Sequence, residues 1–332
     1  MNIYTLLLLV LVLDGLLGEP PNAFHPVAWF GRWAGWQERL CRKWFGSGIL
    51  SGLAAWLVMV LIPSAGAYAL IVGCLHFGGT TAGFAVTAGI GYFTVALRSL
   101  TDHSRRIRLA LKAGDLPAAR RALSMIVSRN TEDLDESEIV RGGVESIGEN
   151  LIDAVTSALF WITAGYVLGG FPGAAAGGVF LRCVNTLDAC WGYRNDAYLH
   201  FGRVAAKTDD WIHFIPARLT LPAIALAAPL VSGSLTGCLK TGWKHRKDHP
   251  SPNSCYGMAG FAGALKIRLG GPTRYADGVE SYSCWGDGRK KLDHRDLFRA
   301  EWLARLSAGV FSLMLSGCYA LLAEILCRCL NT

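Results

Sequence analysis

Six apolar stretches divide the chain and restrict what it can fold into. They cover residues 3–17, 49–75, 82–97, 154–181, 212–239 and 303–326. A transmembrane helix needs about 20 mainly apolar residues, so several of these stretches are long enough to cross a bilayer. Charged residues make up only 17% of the chain, whereas about 25% is typical of soluble domains. The sequence therefore predicts an all-α, polytopic integral membrane protein.

The distribution of charge predicts an orientation in the membrane. Nearly all charged residues lie in four polar blocks, near residues 18–48, 98–153, 182–211 and 240–302, and each block has several Lys or Arg residues. The turns at residues 74–81 and 169–173 carry no charge. Because basic loops stay on the cytoplasmic side, the neutral turns should be the far ends of helical hairpins. We predict a multi-pass protein of the inner membrane with its active site facing the cytoplasm.

Glycine and proline residues predict breaks in two apolar stretches. The sequence GGFPG interrupts residues 154–181, which favours two half-helices over one straight span. Three prolines raise the same question for residues 212–239. Non-helical backbone at membrane depth has to be covered by protein or line a water-filled cavity. We expect broken or re-entrant helices around a cavity that opens toward the cytoplasm.

The sequence predicts one membrane-embedded domain, residues 1–332, with two polar additions. Residues 98–150 read as a cytoplasmic helical insertion, because apolar residues recur at helical spacing and Gly114-Asp115 marks a break before Pro117. Residues 240–302 form a basic cytoplasmic loop. The net charge of +7 would suit nucleic acid, but aromatic residues are not interleaved with the basic ones as a strand-binding groove needs. The expected partners are the lipid bilayer and anionic small molecules, with no nucleic acid; a homo-oligomer stays open.

Three carboxylates spaced four residues apart give the densest site signal. Glu145, Glu149 and Asp153 follow Arg141 at that spacing, so on a helix they form one polar stripe. The acids repel one another beside an apolar run, and Mg²⁺ would compensate them, since it takes carboxylate oxygens together with water and substrate phosphates. Asn150 could add an oxygen. The alternative is a solvated helix end in which Arg141 pairs with Glu145.

Further polar residues lie at the edges of the apolar stretches. A cluster at residues 131–135 is explained by helix capping from Thr131 or Asp135, with catalysis or metal contact as the alternative. Arg218, inside an apolar stretch, is a functional candidate unless it snorkels to the interface. Two turn signals, residues 251–253 and 270–272, flank a small-residue helix, and basic residues around them can hold phosphates. The block 182–211 fits a phosphate and metal site or only a helix start; its polar residues are Asn185, Asp188, Tyr193, Arg194, Arg203, Lys207, Asp209 and Asp210.

A series of motifs in order along the chain resembles the CobD/CbiB family. The motifs are D-x-x-x-G-E-P-P and H-P-V-x-W-x-G-R (residues 14–32), T-E-x-L-D-E-x-E-I (131–139), V-E-S-x-x-E-N-x-x-D (144–153), L-F-W (159–161), N-T-L-D-A-x-x-G-Y-R (185–194), F-G-R (201–203), D-D (209–210), I-P-A-R-L-T (215–220), S-P-N (251–253) and R-L-G-G-P (268–272). The resemblance implies an adenosylcobinamide-phosphate synthase, a membrane enzyme of adenosylcobalamin biosynthesis. Its reaction joins adenosylcobyric acid to 1-aminopropan-2-ol O-phosphate at the expense of ATP, forming an amide.

With that activity, ATP and Mg²⁺ are the expected cofactors and the corrinoid is a substrate. From charge and position we expect catalytic roles for Glu145, Glu149, Asp153, Asp188 and Arg194. Substrate or phosphate binding is expected from His25, Arg32, Asn150, Asn185, Arg203, Lys207, Arg218, Ser251 and Asn253. The expected metal ligands are Glu145, Glu149, Asp153, Asp209 and Asp210.

Five positions depart from the family pattern. Asn130, Ala154, Ala158, His213 and Cys255 stand where the pattern has Asp, Gly, Pro, Asn and Gly, which leaves open which amino-alcohol phosphate is used. The competing hypothesis is a non-catalytic transporter or regulatory relative, since broken helices and intramembrane charges also mark transporters. A carrier would place charges at mid-span, whereas here they gather at helix ends and loops.

Overall fold

The computed structural model describes residues 1–275 and 278–330. It is 76% helical with one small two-stranded sheet. The α-helices are α1 (Ile3–Leu17), α2 (Pro26–Phe45), α3 (Ile49–Thr94), α4 (Leu97–Lys112), α5 (Leu116–Ser124), α6 (Glu136–Leu151), α7 (Ser157–Trp191), α8 (Arg203–Ile212), α9 (Phe214–Ala227), α10 (Leu235–Lys244), α11 (Ser254–Leu265) and α12 (His294–Leu330). A π-helical turn (Ile152–Thr156), a 3-10 turn (Ala228–Val231) and strands β1 (Leu269–Tyr275) and β2 (Gly278–Trp285) complete the described elements.

Among the described residues, four helical stretches are long and apolar enough to cross a membrane. They are Ile49–Lys112, Glu136–Trp191, Arg203–Val231 and His294–Cys329, and Ile3–Leu17 is a shorter apolar helix. The predicted all-α polytopic membrane protein is confirmed.

Both predicted neutral turns are reversals of the chain. Gly79 takes φ +68 inside α3, and α7 is broken at Gly169 and Gly170. The arms of α7 pack backbone against backbone, because a Cβ on Gly165 would lie 2.0 Å from the carbonyl oxygen of Gly173. The expectation of two half-helices in place of one straight span is therefore confirmed.

The chain forms two compact units. Unit 1 comprises residues 1–96, 157–213 and the described part of 312–332. The rings of Trp191 and Phe201 meet at 5.2 Å in its core. The carbonyl oxygen of Phe201 would lie 1.9 Å from a Cβ on Gly52, so α3 needs glycine at this close approach.

Unit 2 comprises residues 97–156 and 214–311. The expected break before Pro117 is present, since Asp115 caps α5. Asp135 caps α6 through a capping box with Glu138, which agrees with the capping interpretation of residues 131–135. The two helices α6 and α11 cross at Gly148 and Gly257, where only glycine leaves room for backbone contact.

The segment around Gly270 differs from the sequence prediction. Residues 270–272 belong to β1, which pairs antiparallel with β2 and has a bulge between Gly270 and Pro272, and are not a turn as predicted. The glycine signal was misread because Gly270 and Gly271 take φ of +76 and +90, a conformation that serves a bulge as well as a turn. The small-residue helix predicted before it is α11.

Candidate functional site

The predicted site residues fall into both units. Unit 2 holds Glu145, Glu149, Asn150, Asp153, Arg218, Ser251 and Asn253, and unit 1 holds His25, Arg32, Asn185, Asp188, Arg194, Arg203, Lys207, Asp209 and Asp210.

The clearest site in unit 2 is a polar cavity of about 140 Å³ against α6, which we call the acid pocket. Its polar lining includes Arg129, Glu145, Glu149, His249, Gly270 and Tyr282. A larger cavity of about 520 Å³ shares Arg129 and Thr273 with it. Arg129 therefore lies in the wall of both cavities.

Glu145 is held at both carboxylate oxygens. Arg129 Nη2 donates to Oε2 at 2.6 Å, and the backbone N–H of Gly270 donates to Oε1 at 2.7 Å. The residue is only 5% exposed. Arg141 instead donates to the carbonyl oxygens of Gly270 and Pro272, so the alternative in which Arg141 pairs with Glu145 at a solvated helix end is wrong.

Glu149 lies one turn further along α6 and is held less completely. Ser254 Oγ donates to its Oε1 at 2.9 Å. Among the described residues, none donates a hydrogen bond to Oε2, and Glu149 is half-buried. One oxygen of this acid is therefore available to a ligand. Asn150 Nδ2 donates to the carbonyl oxygen of Ser146, and Asn150 is not among the described residues that line the acid pocket.

Asp153 follows Glu149 by four residues and lies in the π-helical turn Ile152–Thr156. Asp153 is not among the described residues that line the acid pocket, and its metal role stays a prediction.

His249 is part of the acid pocket and was missed from the sequence. Its ring stacks on Tyr282 with centroids 5.4 Å apart, and its Nδ1 accepts a hydrogen bond from the N–H of Ser251. Burial lowers the pKa of His249 below its ordinary value and outweighs the opposite effect of Glu149, Glu145 and Glu280. The imidazole is therefore neutral near pH 7, and since its Nδ1 is an acceptor, its Nε2 carries the hydrogen and is a donor.

Ser251 and Asn253 order the turn before α11. Asn253 is 3% exposed and is the N-cap residue of α11, and its N–H donates to Ser251 Oγ. Arg218, also in unit 2, lies over the rings of Phe214 and Tyr256, and its Nη1 donates to the Phe214 carbonyl. Stacking thus fixes the direction of this guanidinium.

A second polar group lies in unit 1. His213 Nδ1 shares a hydrogen bond with Ser157 Oγ at 2.6 Å, and its Nε2 lies 3.2 Å from Asp209 Oδ1 without hydrogen-bond geometry. Asp188 is close enough to Asp209 and Asp210 for their charges to interact. His213 stands where the family pattern has Asn, and its imidazole lies beside the carboxylate of Asp209.

The other predicted residues of unit 1 line no single site. Arg194 interacts with the charge of Asp210, while Arg203 and Lys207 are exposed one turn apart on α8. His25 caps α2 through its Nδ1; Arg32 is exposed and Asn185 is half-buried.

Within residues 1–275 and 278–330, no three His, Cys, Asp or Glu side chains form a metal-ligand group. Mg²⁺, however, usually needs only one or two protein carboxylates and completes its shell with water and substrate phosphates. The acid pocket also holds Arg129 Nη1, a buried donor without a hydrogen-bond partner among the described residues. Such an unsatisfied donor calls for an explanation, and an absent anionic ligand supplies one.

Fold and site together define a polytopic helical membrane protein with a buried acidic and basic pocket. The pattern of the family described as "CobD/Cbib protein" matches residues 7–304, and the chain belongs to that family. Three curated relatives are each named "Cobalamin biosynthesis protein CobD". The protein of Pelobacter propionicus is 36% identical over 93% of this chain and 94% of its own length, and that of Geobacter metallireducens is 37% identical over 93% and 96%. The protein of Clostridium perfringens is 36% identical over 87% of this chain and 89% of its own. No solved structure matches the chain.

Proposed function

We propose that this chain is an enzyme of cobalamin biosynthesis, an ATP-dependent acid–amine ligase that converts adenosylcobyric acid and 1-aminopropan-2-ol O-phosphate to adenosylcobinamide phosphate. Membership of the CobD/CbiB family and the names of its relatives support the pathway. The observation that carries the reaction class is the acid pocket, where Glu149 keeps one oxygen available beside the cation Arg129.

The chemistry requires activation of a carboxylate, which is a poor electrophile. In the first step a carboxylate oxygen of the corrinoid attacks the γ-phosphorus of ATP, so that an acyl phosphate forms and ADP leaves. In the second step the amine nitrogen attacks the carbonyl carbon, the C–O bond to phosphate breaks, and the nitrogen loses a proton. Inorganic phosphate and the amide are the products.

The residues of the acid pocket suit the charges in both steps. Arg129 would stabilise charge on the transferring phosphoryl group. Glu149 would contact Mg²⁺ through its available oxygen, with Glu145 beside it, and the metal would neutralise phosphate oxygens. His249 is neutral, and because its Nδ1 accepts the Ser251 N–H, its Nε2–H could donate a hydrogen bond to a substrate oxygen. Arg194, Arg203, Lys207 and Arg218 remain proposed phosphate ligands, and Asp188, Asp209 and Asp210 remain proposed for a second metal or substrate contact.

The test is ADP release by detergent-purified protein supplied with adenosylcobyric acid, 1-aminopropan-2-ol O-phosphate and Mg²⁺-ATP. We expect amine-dependent ADP release and a corrinoid product of the corresponding higher mass. Glu149→Gln should abolish both ADP release and formation of the corrinoid product. The matched control is Glu136→Gln, an exposed acid at the start of the same helix, which should keep them.

The outcomes separate the ligase from the alternatives. No turnover by protein shown to be folded would refute the ligase. Corrinoid binding without turnover would then favour a binding-only relative, and Glu149→Gln turning over like the wild type would place the reaction outside the acid pocket.

A further inference from the structure

The backbone of a single residue, Gly270, lies between two side chains of α6. Arg141 Nη1 donates to the Gly270 carbonyl oxygen at 2.7 Å, and the Gly270 N–H donates to Glu145 Oε1 at 2.7 Å. Arg141 Nη2 reaches the Pro272 carbonyl at 2.9 Å. Arg141 and Glu145 are one helical turn apart and would normally pair with each other. Here both side chains instead form hydrogen bonds with the backbone of strand β1.

Gly270 has no side chain that could hold its own position by packing. Gly270 takes φ +76, and a Cβ there would lie 2.1 Å from the Ser283 carbonyl oxygen, so the site requires glycine. A bulge also interrupts the ladder with β2 between Gly270 and Pro272. The position of the Gly270 N–H therefore depends on hydrogen bonds, and Arg141 supplies two of them from one planar guanidinium.

The position of the Gly270 N–H determines how the carboxylate of Glu145 is oriented. Its Oε1 takes the Gly270 N–H and its Oε2 takes Arg129, so the direction of the carboxylate in the acid pocket is set by these two donors. If the Gly270 backbone moves, Glu145 loses one of them and is free to rotate.

We propose that Arg141 is a positioning residue which fixes the carboxylate of Glu145 through the Gly270 backbone. The proposal rests on the proposed function, in which Glu145 serves the ligase. Both terminal nitrogens of Arg141 donate to backbone carbonyl oxygens, so Arg141 acts on Glu145 through the backbone of β1.

The first test is a double-mutant cycle on turnover with Arg141→Met, Glu145→Gln and the double variant. Removal of a residue that orients a functional ligand typically costs about 10- to 100-fold. We expect a loss of kcat in that range for Arg141→Met, with KM for ATP and corrinoid changed less than about threefold, because a positioned acid acts in the transition state. In the Glu145→Gln background the same substitution should cost less than about twofold.

Two further variants separate positioning from folding. Arg141→Lys should recover only part of the activity, because an ammonium cannot reproduce the two-pronged geometry. Arg106→Met, the same substitution at an exposed position of α4, should leave kcat unchanged. The proposal would be overturned if the kcat losses of Arg141→Met and Glu145→Gln multiplied in the double variant. It would also be overturned if Arg141→Met raised KM and left kcat unchanged.

The second test does not require turnover. Amide hydrogen exchange is followed by mass spectrometry on the peptide that contains Gly270. We expect faster exchange in Arg141→Met and in Glu145→Gln, with no further increase in the double variant. If the wild type fails to turn over, the proposed function fails, yet this cycle still decides whether Arg141 acts through Gly270 on Glu145. The coupling would be rejected if Arg141→Met raised the exchange rate equally in the wild type and in Glu145→Gln, or did not raise it in either.

Discussion

The crossing of α6 and α11 predicts a large effect from one methyl group. In Gly257→Ala the new Cβ would lie 1.9 Å from the Gly148 carbonyl oxygen, where ordinary contact begins at 3.4 Å. The helices would have to separate by about 1.5 Å. The same helices carry Ser254 and Glu149, whose hydrogen bond of 2.9 Å would stretch beyond its useful range.

Two opposing contributions set the magnitude. Overpacking a close contact costs about 1–3 kcal/mol, and replacing glycine by alanine within a helix returns about 1 kcal/mol. Because the clashing atoms belong to the backbone of Gly148, the overpacking cost should lie in the upper part of its range, about 2–3 kcal/mol, which gives a net destabilisation of about 1–2 kcal/mol. The matched control is Gly309→Ala in α12 of the same unit, where nothing lies within 4 Å of the new Cβ, and which should stabilise by up to about 1 kcal/mol.

The assay is thermal unfolding of both variants in the same detergent, with ADP release measured in parallel. The two midpoints should differ by roughly 4 °C or more, in opposite directions from the wild type, and only Gly257→Ala should lose activity. A Gly257→Ala midpoint at or above that of Gly309→Ala would refute the close backbone crossing.

Three further predictions follow from burial and charge. Arg129→Met leaves Glu145 buried without its cation and should lower the free energy of unfolding by about 3 kcal/mol, measured by denaturant titration; a neutral effect would contradict the pairing. Folding lowers the pKa of His249. The free energy of unfolding should therefore fall as pH drops below the unfolded pKa of 6.5 and become constant below the folded pKa. His249→Gln should reduce this pH dependence, and an unchanged profile would contradict the lowered pKa. Gly165→Ala should lower the thermal midpoint because its Cβ would lie 2.0 Å from the Gly173 carbonyl oxygen, whereas Gly66→Ala, with open space around it, should not; equal midpoints would argue against close hairpin arms.

Local patterns predicted much of the fold. The apolar stretches indicated membrane helices, the GGFPG sequence indicated the reversal in α7, and Asp135 was identified as a helix cap. Each of these features depends on residues close together in the chain. The sequence can report them because the same few residues make the contact.

Contacts between distant segments could not be predicted. Glu145 is held by Arg129 from the preceding loop and by the Gly270 backbone, 125 residues away, and neither partner has a sequence signal that links it to α6. His249 enters the acid pocket in the same way. The π-helical turn that holds Asp153 is likewise a property of hydrogen bonding in the folded helix and not of residue spacing.

The most direct test of the central claim follows the oxygen atoms of the reacting carboxylate. Adenosylcobyric acid labelled with ¹⁸O in that carboxylate is incubated with ATP, the amine phosphate and either wild-type protein or Glu149→Gln, and the phosphate released is analysed by mass spectrometry. With an acyl phosphate as the intermediate, we expect one ¹⁸O atom in each phosphate formed by the wild type, together with loss of phosphate formation in Glu149→Gln. Unlabelled phosphate, or labelled phosphate formed by Glu149→Gln at the wild-type rate, would contradict it.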